Sequence, residues 1–122
     1  MARILIVDDD VLSTKIYLAK LNNDHHEVVL CQNGQDALAK IITKFDLVLL
    51  DIMMPKMDGI ALLKEIQKGP NRLTPVLVYT NLISKEVKQE ALANGAKEFL
   101  LKADYSPAQI LAKFDQYLPR AA

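Results

Sequence analysis

Residues 46–59 read DLVLLDIMMPKMDG, and their pattern indicates the kind of sheet to which they belong. Its first half is an uninterrupted apolar run, Leu47 to Leu50, which ends directly in Asp51. A short run that is apolar at every position is typical of a strand that helices cover on both faces. We therefore predict a central strand of a parallel sheet here, with Asp51 at its carboxyl end.

Similar runs occur on both sides of this stretch. With it they make five predicted strands, at residues 4–7, 28–30, 47–50, 76–80 and 98–101. Helix-patterned segments follow each run, near residues 11–23, 34–44 and 59–68, between Ser84 and Gly95, and after Ser106. Strands and helices that alternate five times predict an α/β fold of the (βα)5 type, a doubly wound five-stranded parallel sheet. We expect one domain over residues 1–122.

The helix boundaries carry their own signals. Asn33, Ser84 and Ser106 each stand where a helix would begin, and their side chains can accept hydrogen bonds from the first-turn backbone. Pro107 suits a first helical turn, and Gly95 suits the left-handed position after a helix. These signals predict the starts of three helices and the end of the fourth.

Composition excludes several classes of protein. The 15 basic and 15 acidic residues cancel, and basic residues are scattered, so we expect no direct nucleic-acid binding. Apolar runs of about four or five residues are too short for membrane insertion or a signal peptide, which predicts a cytoplasmic protein. The single cysteine, Cys31, is interpreted as core packing.

Chemically selective residues follow the predicted strands. They are Asp8, Asp9 and Asp10 after the first strand, Asp51 after the third, Thr80 and Asn81 at the fourth, and Lys102 after the fifth. In open parallel sheets, ligands bind outside the carboxyl ends of the strands. Four carboxylates gathered there repel one another unless a cation neutralises them. Mg²⁺ fits this set because it prefers oxygen ligands.

Asp51 is the best candidate for a nucleophile at this edge. With a metal ion and a lysine to cancel charge, an ionised aspartate can attack phosphorus. Lys102 and Thr80 could then detect the charge that a phosphoryl group adds. Taken singly, each residue also has a structural explanation, such as helix-dipole or turn chemistry. Their gathering at one edge favours the functional interpretation.

Four stretches together resemble the receiver domain of bacterial two-component response regulators, including single-domain chemotaxis-type proteins. They are ILIVDDD at 4–10, DLVLLDIMMPKMDG at 46–59, PVLVYT at 75–80 and EFLLK at 98–102. The resemblance covers nearly the whole chain. It implies the flavodoxin-like receiver fold with strand order 2-1-3-4-5.

The resemblance also implies roles for individual residues. Asp51 matches the phosphoacceptor, while Thr80 and Lys102 match the switch hydroxyl and the phosphate-binding lysine. The implied magnesium ligands are Asp9, Asp51 and the backbone carbonyl of Met53, with Asp8 acting more through water. Phe99 matches the aromatic residue whose rotamer follows phosphorylation.

Partners follow from the same resemblance. The phosphoryl donor would be a sensor histidine kinase, a phosphotransfer protein or a small phosphodonor. The output would be a changed surface formed by the fourth helix, fifth strand and fifth helix, read by a downstream protein of unknown identity. A homodimer that forms on phosphorylation is a further implied partner.

Two positions depart from the family pattern. Ala103 stands where a proline joined by a cis bond usually follows the lysine, and Asn81 stands where a small residue is usual. Because a cis bond before a non-proline residue costs about 2.5–4 kcal/mol, we predict a trans Lys102–Ala103 bond. Asn81 is expected either to narrow access to the phosphoryl site or, through its amide, to hold a water there and oppose that effect.

Three other functions remain as alternatives. Aspartyl phosphatases of the haloacid-dehalogenase type place an acid two residues after the nucleophile, but Met53 occupies that position, so we expect no phosphoester turnover. A nucleotide- or flavin-binding domain would need a phosphate-cradling loop where Asp8 to Asp10 stand. An unphosphorylated pseudo-receiver would usually lack an active-site residue.

Met53 and Leu82 offer no group to orient an attacking water, which predicts a long-lived phosphorylated state.

Overall fold

A computed structural model describes residues 2–52 and 58–118 of the chain. Five strands form one parallel sheet: β1 (Arg3–Val7), β2 (Glu27–Cys31), β3 (Leu47–Leu50), β4 (Val76–Thr80) and β5 (Glu98–Leu101). Their order is β2-β1-β3-β4-β5, as predicted. Every residue of β3 and β4 is buried, which explains why these strands are apolar at nearly every position.

In the described part of the chain, five α-helices cover the two faces of the sheet. They are α1 (Val11–Asn23), α2 (Gly34–Lys40), α3 (Gly59–Ile66), α4 (Lys85–Ala93) and α5 (Pro107–Tyr117). One core cluster joins one face of the strands to α2, α3 and α4, for example Val48 and Val78 with Leu62. A second cluster joins the other face to α1 and α5, for example Leu49 with Tyr17. The doubly wound prediction is confirmed.

The predicted helix caps are present. The Asn33 side chain accepts a hydrogen bond from the backbone N–H of Asp36 at 2.9 Å. Ser84 and Ser106 cap α4 and α5 in the same way. Gly95 follows α4 with φ of 101°, a conformation that favours glycine. These local signals therefore set the helix boundaries that the sequence indicates.

The end of α2 differs from its prediction. The helix ends at Lys40 rather than near residue 44. The buried Asn71 amide donates hydrogen bonds to the carbonyls of Ile41 at 2.9 Å and Thr43 at 2.8 Å. Its oxygen accepts from the backbone N–H of Phe45 at 2.7 Å. Asn71 thereby stabilises a turn into β3 in place of a last helical turn.

We expect Asn71→Ala to lower the free energy of unfolding by about 3 kcal/mol, because buried backbone groups lose their hydrogen-bond partners. Urea denaturation followed by circular dichroism measures this loss. Asn94→Ala is the matched control, since the Asn94 amide bonds an exposed carbonyl, that of Glu90, at 2.8 Å. Equal destabilisation by the two substitutions would contradict the role given to Asn71.

The burial of Cys31 and the lengths of the helices bear on what the composition predicts. Cys31 is buried at the end of β2, and burial raises the pKa of its thiol, as expected for a core side chain. Within residues 2–52 and 58–118, the helices lack the length and apolarity that a membrane crossing would need.

Candidate functional site

Strand register brings the acidic residues together. Val7 of β1 is paired with Leu50 of β3, so Asp8 and Asp51 follow at adjacent strand ends. The Asp51 N–H donates to the Val7 carbonyl at 2.9 Å, which extends the pairing by one residue. Asp8 and Asp51, which the sequence placed at the carboxyl edge of the sheet, are therefore neighbours in the structure.

Three carboxylates in this cluster can share one ion. Asp8, Asp9 and Asp51 each offer an oxygen, and these three atoms lie within 4.8 Å of one another. Asp8 and Asp51 are only 1% and 4% exposed, whereas Asp9 is exposed. Oxygen ligands with one side open to water suit Mg²⁺, which keeps several of its waters. The predicted carbonyl ligand, that of Met53, lies outside the described residues.

Lys102 lies between two of the carboxylates. Its Nζ is 2.9 Å from Asp51 Oδ2 and 3.2 Å from Asp8 Oδ2. One ammonium against three carboxylates leaves two negative charges, so these four side chains still favour a divalent cation. Burial alone would lower the pKa of Lys102, but the hydrogen bond to Asp51 and the charge of Asp8 outweigh it and raise that pKa. Lys102 is therefore charged at neutral pH.

Thr80 and Phe99 lie on the face of the sheet that α2, α3 and α4 cover. The Thr80 side chain is fully buried, and its hydroxyl accepts a hydrogen bond from the Leu82 N–H at 3.2 Å. Phe99 is half-buried and packs on the cluster that contains α4. Thr80 is paired with Leu101 and Val78 with Phe99, so the two candidate switch residues are close neighbours.

Sequence reasoning missed Tyr79, which it treated only as part of an apolar strand. The Tyr79 hydroxyl donates a hydrogen bond to Asp8 Oδ2. The Nζ of Lys102 lies 4.6 Å from the centre of the Tyr79 ring. Strand alternation could have revealed it, because Tyr79 precedes Thr80 and so lies on the opposite face of β4.

The two departures from the family pattern are accommodated locally. The Lys102–Ala103 bond is trans, as predicted, and Lys102–Asp104 form a short 3₁₀ helix before α5. Asn81 is exposed after β4, and its effect on access stays a prediction. Leu82 is half-buried against the core cluster of α2, α3 and α4, and its effect on lifetime also stays a prediction.

Comparison with known proteins decides the family. Residues 4–115 match the family model described as the response regulator receiver domain. The chain belongs to this family. Its five-stranded order and its cluster of two buried aspartates and one exposed aspartate fit a receiver domain in two-component signalling.

Individual relatives agree with this assignment. The receiver is 48% identical over 100 residues to the transcriptional regulatory protein ZraR of Salmonella typhimurium, which covers 81% of this chain and 22% of that protein. It is 35% identical to the CpxR homolog of Haemophilus influenzae, over 100% of this chain and 52% of that protein. The chain thus spans from about a fifth to about half of these curated relatives.

A solved structure is also similar. The crystal structure of a CheY-like response regulator receiver domain protein from Methanospirillum hungatei superposes with a TM-score of 0.87 at 31% identity. The match covers 95% of this chain and 92% of the other. The receiver fold is therefore shared over nearly the full length of both chains.

We expect Mg²⁺ to stabilise the receiver, by about 2.7 kcal/mol when its concentration is about 100-fold above the dissociation constant. Asp9→Asn should remove most of this gain, and because Asp9 is exposed the variant should fold normally without metal. Thermal unfolding with and without Mg²⁺ measures the effect. Asp10→Asn changes net charge equally and is the control. Full stabilisation of Asp9→Asn by Mg²⁺ would exclude Asp9 as a ligand.

Proposed function

We propose that this receiver is a phosphorylation-dependent switch in which Asp51 accepts a phosphoryl group from a histidine kinase, a phosphotransfer protein or a small phosphodonor. The observation that carries the proposal is the position of the Asp51 carboxylate. It belongs to a three-carboxylate cluster and lies 2.9 Å from the charged Lys102 Nζ. The nucleophile and the cation that would balance its charge are therefore already adjacent.

The proposed transfer uses the residues of the site in defined roles. A carboxylate oxygen of Asp51 attacks the phosphorus atom, the bond from phosphorus to the donor breaks, and the donor leaves with its electron pair. Lys102 binds an oxygen of the transferred group and balances its charge. Mg²⁺ held by Asp8, Asp9, Asp51 and the Met53 carbonyl would supply further charge neutralisation. Thr80 would bind the new phosphoryl group through its hydroxyl.

The proposed role is a switch rather than a turnover enzyme. The residue two positions after Asp51 is Met53, which cannot donate a proton to a leaving alcohol. Phosphorylation would therefore end in a stored acyl phosphate, and because Met53 and Leu82 offer no group to orient an attacking water, its loss would be slow. A cytoplasmic location, where such donors occur, is part of the same proposal.

Phosphorylation should occur on Asp51 and require Mg²⁺. Incubation with acetyl phosphate and Mg²⁺ should add one phosphoryl group, measured by intact mass, and Asp51→Asn should abolish the addition. Asp58→Asn is the matched control, because Asp58 is an exposed cap of α3 and asparagine can cap a helix equally well. Labelling of Asp51→Asn at the wild-type level would refute the proposal.

The output surface is proposed to lie beside Phe99. A groove of about 270 Å³ lies between α4, β5 and the segment that precedes α5, and its lining includes Ile83, Lys85, Lys88, Phe99 and Tyr105. Ile83 is 85% exposed at the rim of this groove. If the Thr80 hydroxyl turns to the phosphoryl group, it leaves the Leu82 N–H and frees space near Phe99. The groove would then change shape for a downstream protein.

Thr80→Val should uncouple phosphorylation from this change, since valine keeps the shape of threonine but loses the hydroxyl. With beryllofluoride and Mg²⁺, wild-type amide NMR signals of Ile83, Lys88 and Phe99 should shift, and in Thr80→Val these shifts should shrink severalfold. Thr43→Val is the control, because Thr43 is exposed before β3, at the opposite edge of the sheet. Unchanged shifts in Thr80→Val would remove Thr80 from the switch.

A further inference from the structure

Tyr79 makes a contact with the acidic cluster that the proposed mechanism does not use. Its side chain is 1% exposed and packs among the aromatic rings between the sheet and α1 and α5. The Tyr17 ring meets it edge-on, with centroids 6.2 Å apart and planes at 70°. From this apolar surrounding, the Tyr79 hydroxyl donates to Asp8 Oδ2.

The register explains how Tyr79 reaches Asp8. Leu50 is paired with Val7 on one side and with Val78 on the other. One position further along, Asp8, Asp51 and Tyr79 therefore form a row across β1, β3 and β4. Because neighbouring strands are about 4.8 Å apart, β4 is about 10 Å from β1. The long tyrosine side chain and the carboxylate of Asp8 together span that distance.

Asp8 depends on its donors because it is buried. Among the described residues, its Oδ1 accepts from the Asp10 N–H at 2.9 Å and from Lys102 Nζ at 3.3 Å. Its Oδ2 accepts from Tyr79 and from Lys102 Nζ at 3.2 Å. If Lys102 turned toward a phosphoryl group on Asp51, Asp8 would lose the hydrogen bonds that Lys102 donates to it. The Asp10 N–H and the Tyr79 hydroxyl then hold each oxygen in place.

We propose that Tyr79 is a positioning residue for the metal site, which holds the Asp8 carboxylate in the orientation that favours Mg²⁺ and its bound water. This inference rests on the proposed magnesium-dependent function. In this contact the Tyr79 hydroxyl is the donor, because a carboxylate offers only acceptor atoms. Partners that orient metal-binding carboxylates in this way typically affect metal affinity about 10–100-fold when removed.

Tyr79→Phe tests the proposal because it removes the hydroxyl and keeps the ring. We expect its Mg²⁺ dissociation constant, from amide NMR titration of the metal-free protein, to rise about tenfold. Phosphorylation by acetyl phosphate should slow at low Mg²⁺ and recover at saturating Mg²⁺. Tyr117→Phe is the matched control, since the Tyr117 hydroxyl also donates to a carboxylate, Glu98 Oε2 at 2.5 Å, outside the metal cluster.

A double-mutant cycle shows whether the effect passes through Asp8. In an Asp8→Asn background, Tyr79→Phe should change the Mg²⁺ dissociation constant by less than about twofold. A tenfold change that persists there would overturn the positioning role. In the wild type, the buried Tyr79 hydroxyl proton should give a distinct NMR signal that persists when Mg²⁺ binds, and its loss would also overturn it.

The outcomes separate the two proposals. If the wild type fails to bind Mg²⁺, the proposed function itself fails. If the wild type binds Mg²⁺ and Tyr79→Phe binds it equally well or more tightly, only the role of Tyr79 is refuted. Amide spectra of the metal-free variants establish that each one folds.

Discussion

The parallel register of β1, β3 and β4 is the constraint on which the site depends. Because Val7, Leu50 and Val78 are aligned, the residues that follow them must meet at one edge of the sheet. That alignment is stabilised by burial of the strands between two layers of helices, and Lys102 offsets part of the repulsion between the carboxylates that it brings together. Apolar packing thus holds like charges together that would separate in water.

The two faces of the sheet divide the proposed work of the protein. Tyr79 lies in the core cluster of α1 and α5, and its hydroxyl meets Asp8 at the site. Thr80, one residue later, points to the opposite face by strand alternation, and Phe99 packs there against the cluster that contains α4. Two consecutive residues of β4 therefore have different proposed roles. Tyr79 orients a carboxylate of the acidic site, and Thr80 would transmit the phosphorylation state of that site.

Two buried polar side chains, Asn71 and Tyr79, are paired over long sequence distances. Asn71 connects the end of α2 to the start of β3, and Tyr79 connects β4 to Asp8. Both side chains are removed from water, so an unmade hydrogen bond would be costly. Such pairs make the geometry at each position specific, in addition to the stability that apolar burial supplies.

Patterns along the chain were enough to predict the five strands, most helix boundaries and the set of residues at the carboxyl edge. These features are local: apolar runs, caps such as Ser106 and the residue after each run act through neighbours in the chain. The tertiary structure alone decided the early end of α2, because Asn71 lies 26 residues from Phe45. It also decided the Tyr79–Asp8 contact, between residues 71 positions apart, since such a contact depends on register, reach and burial rather than on local pattern.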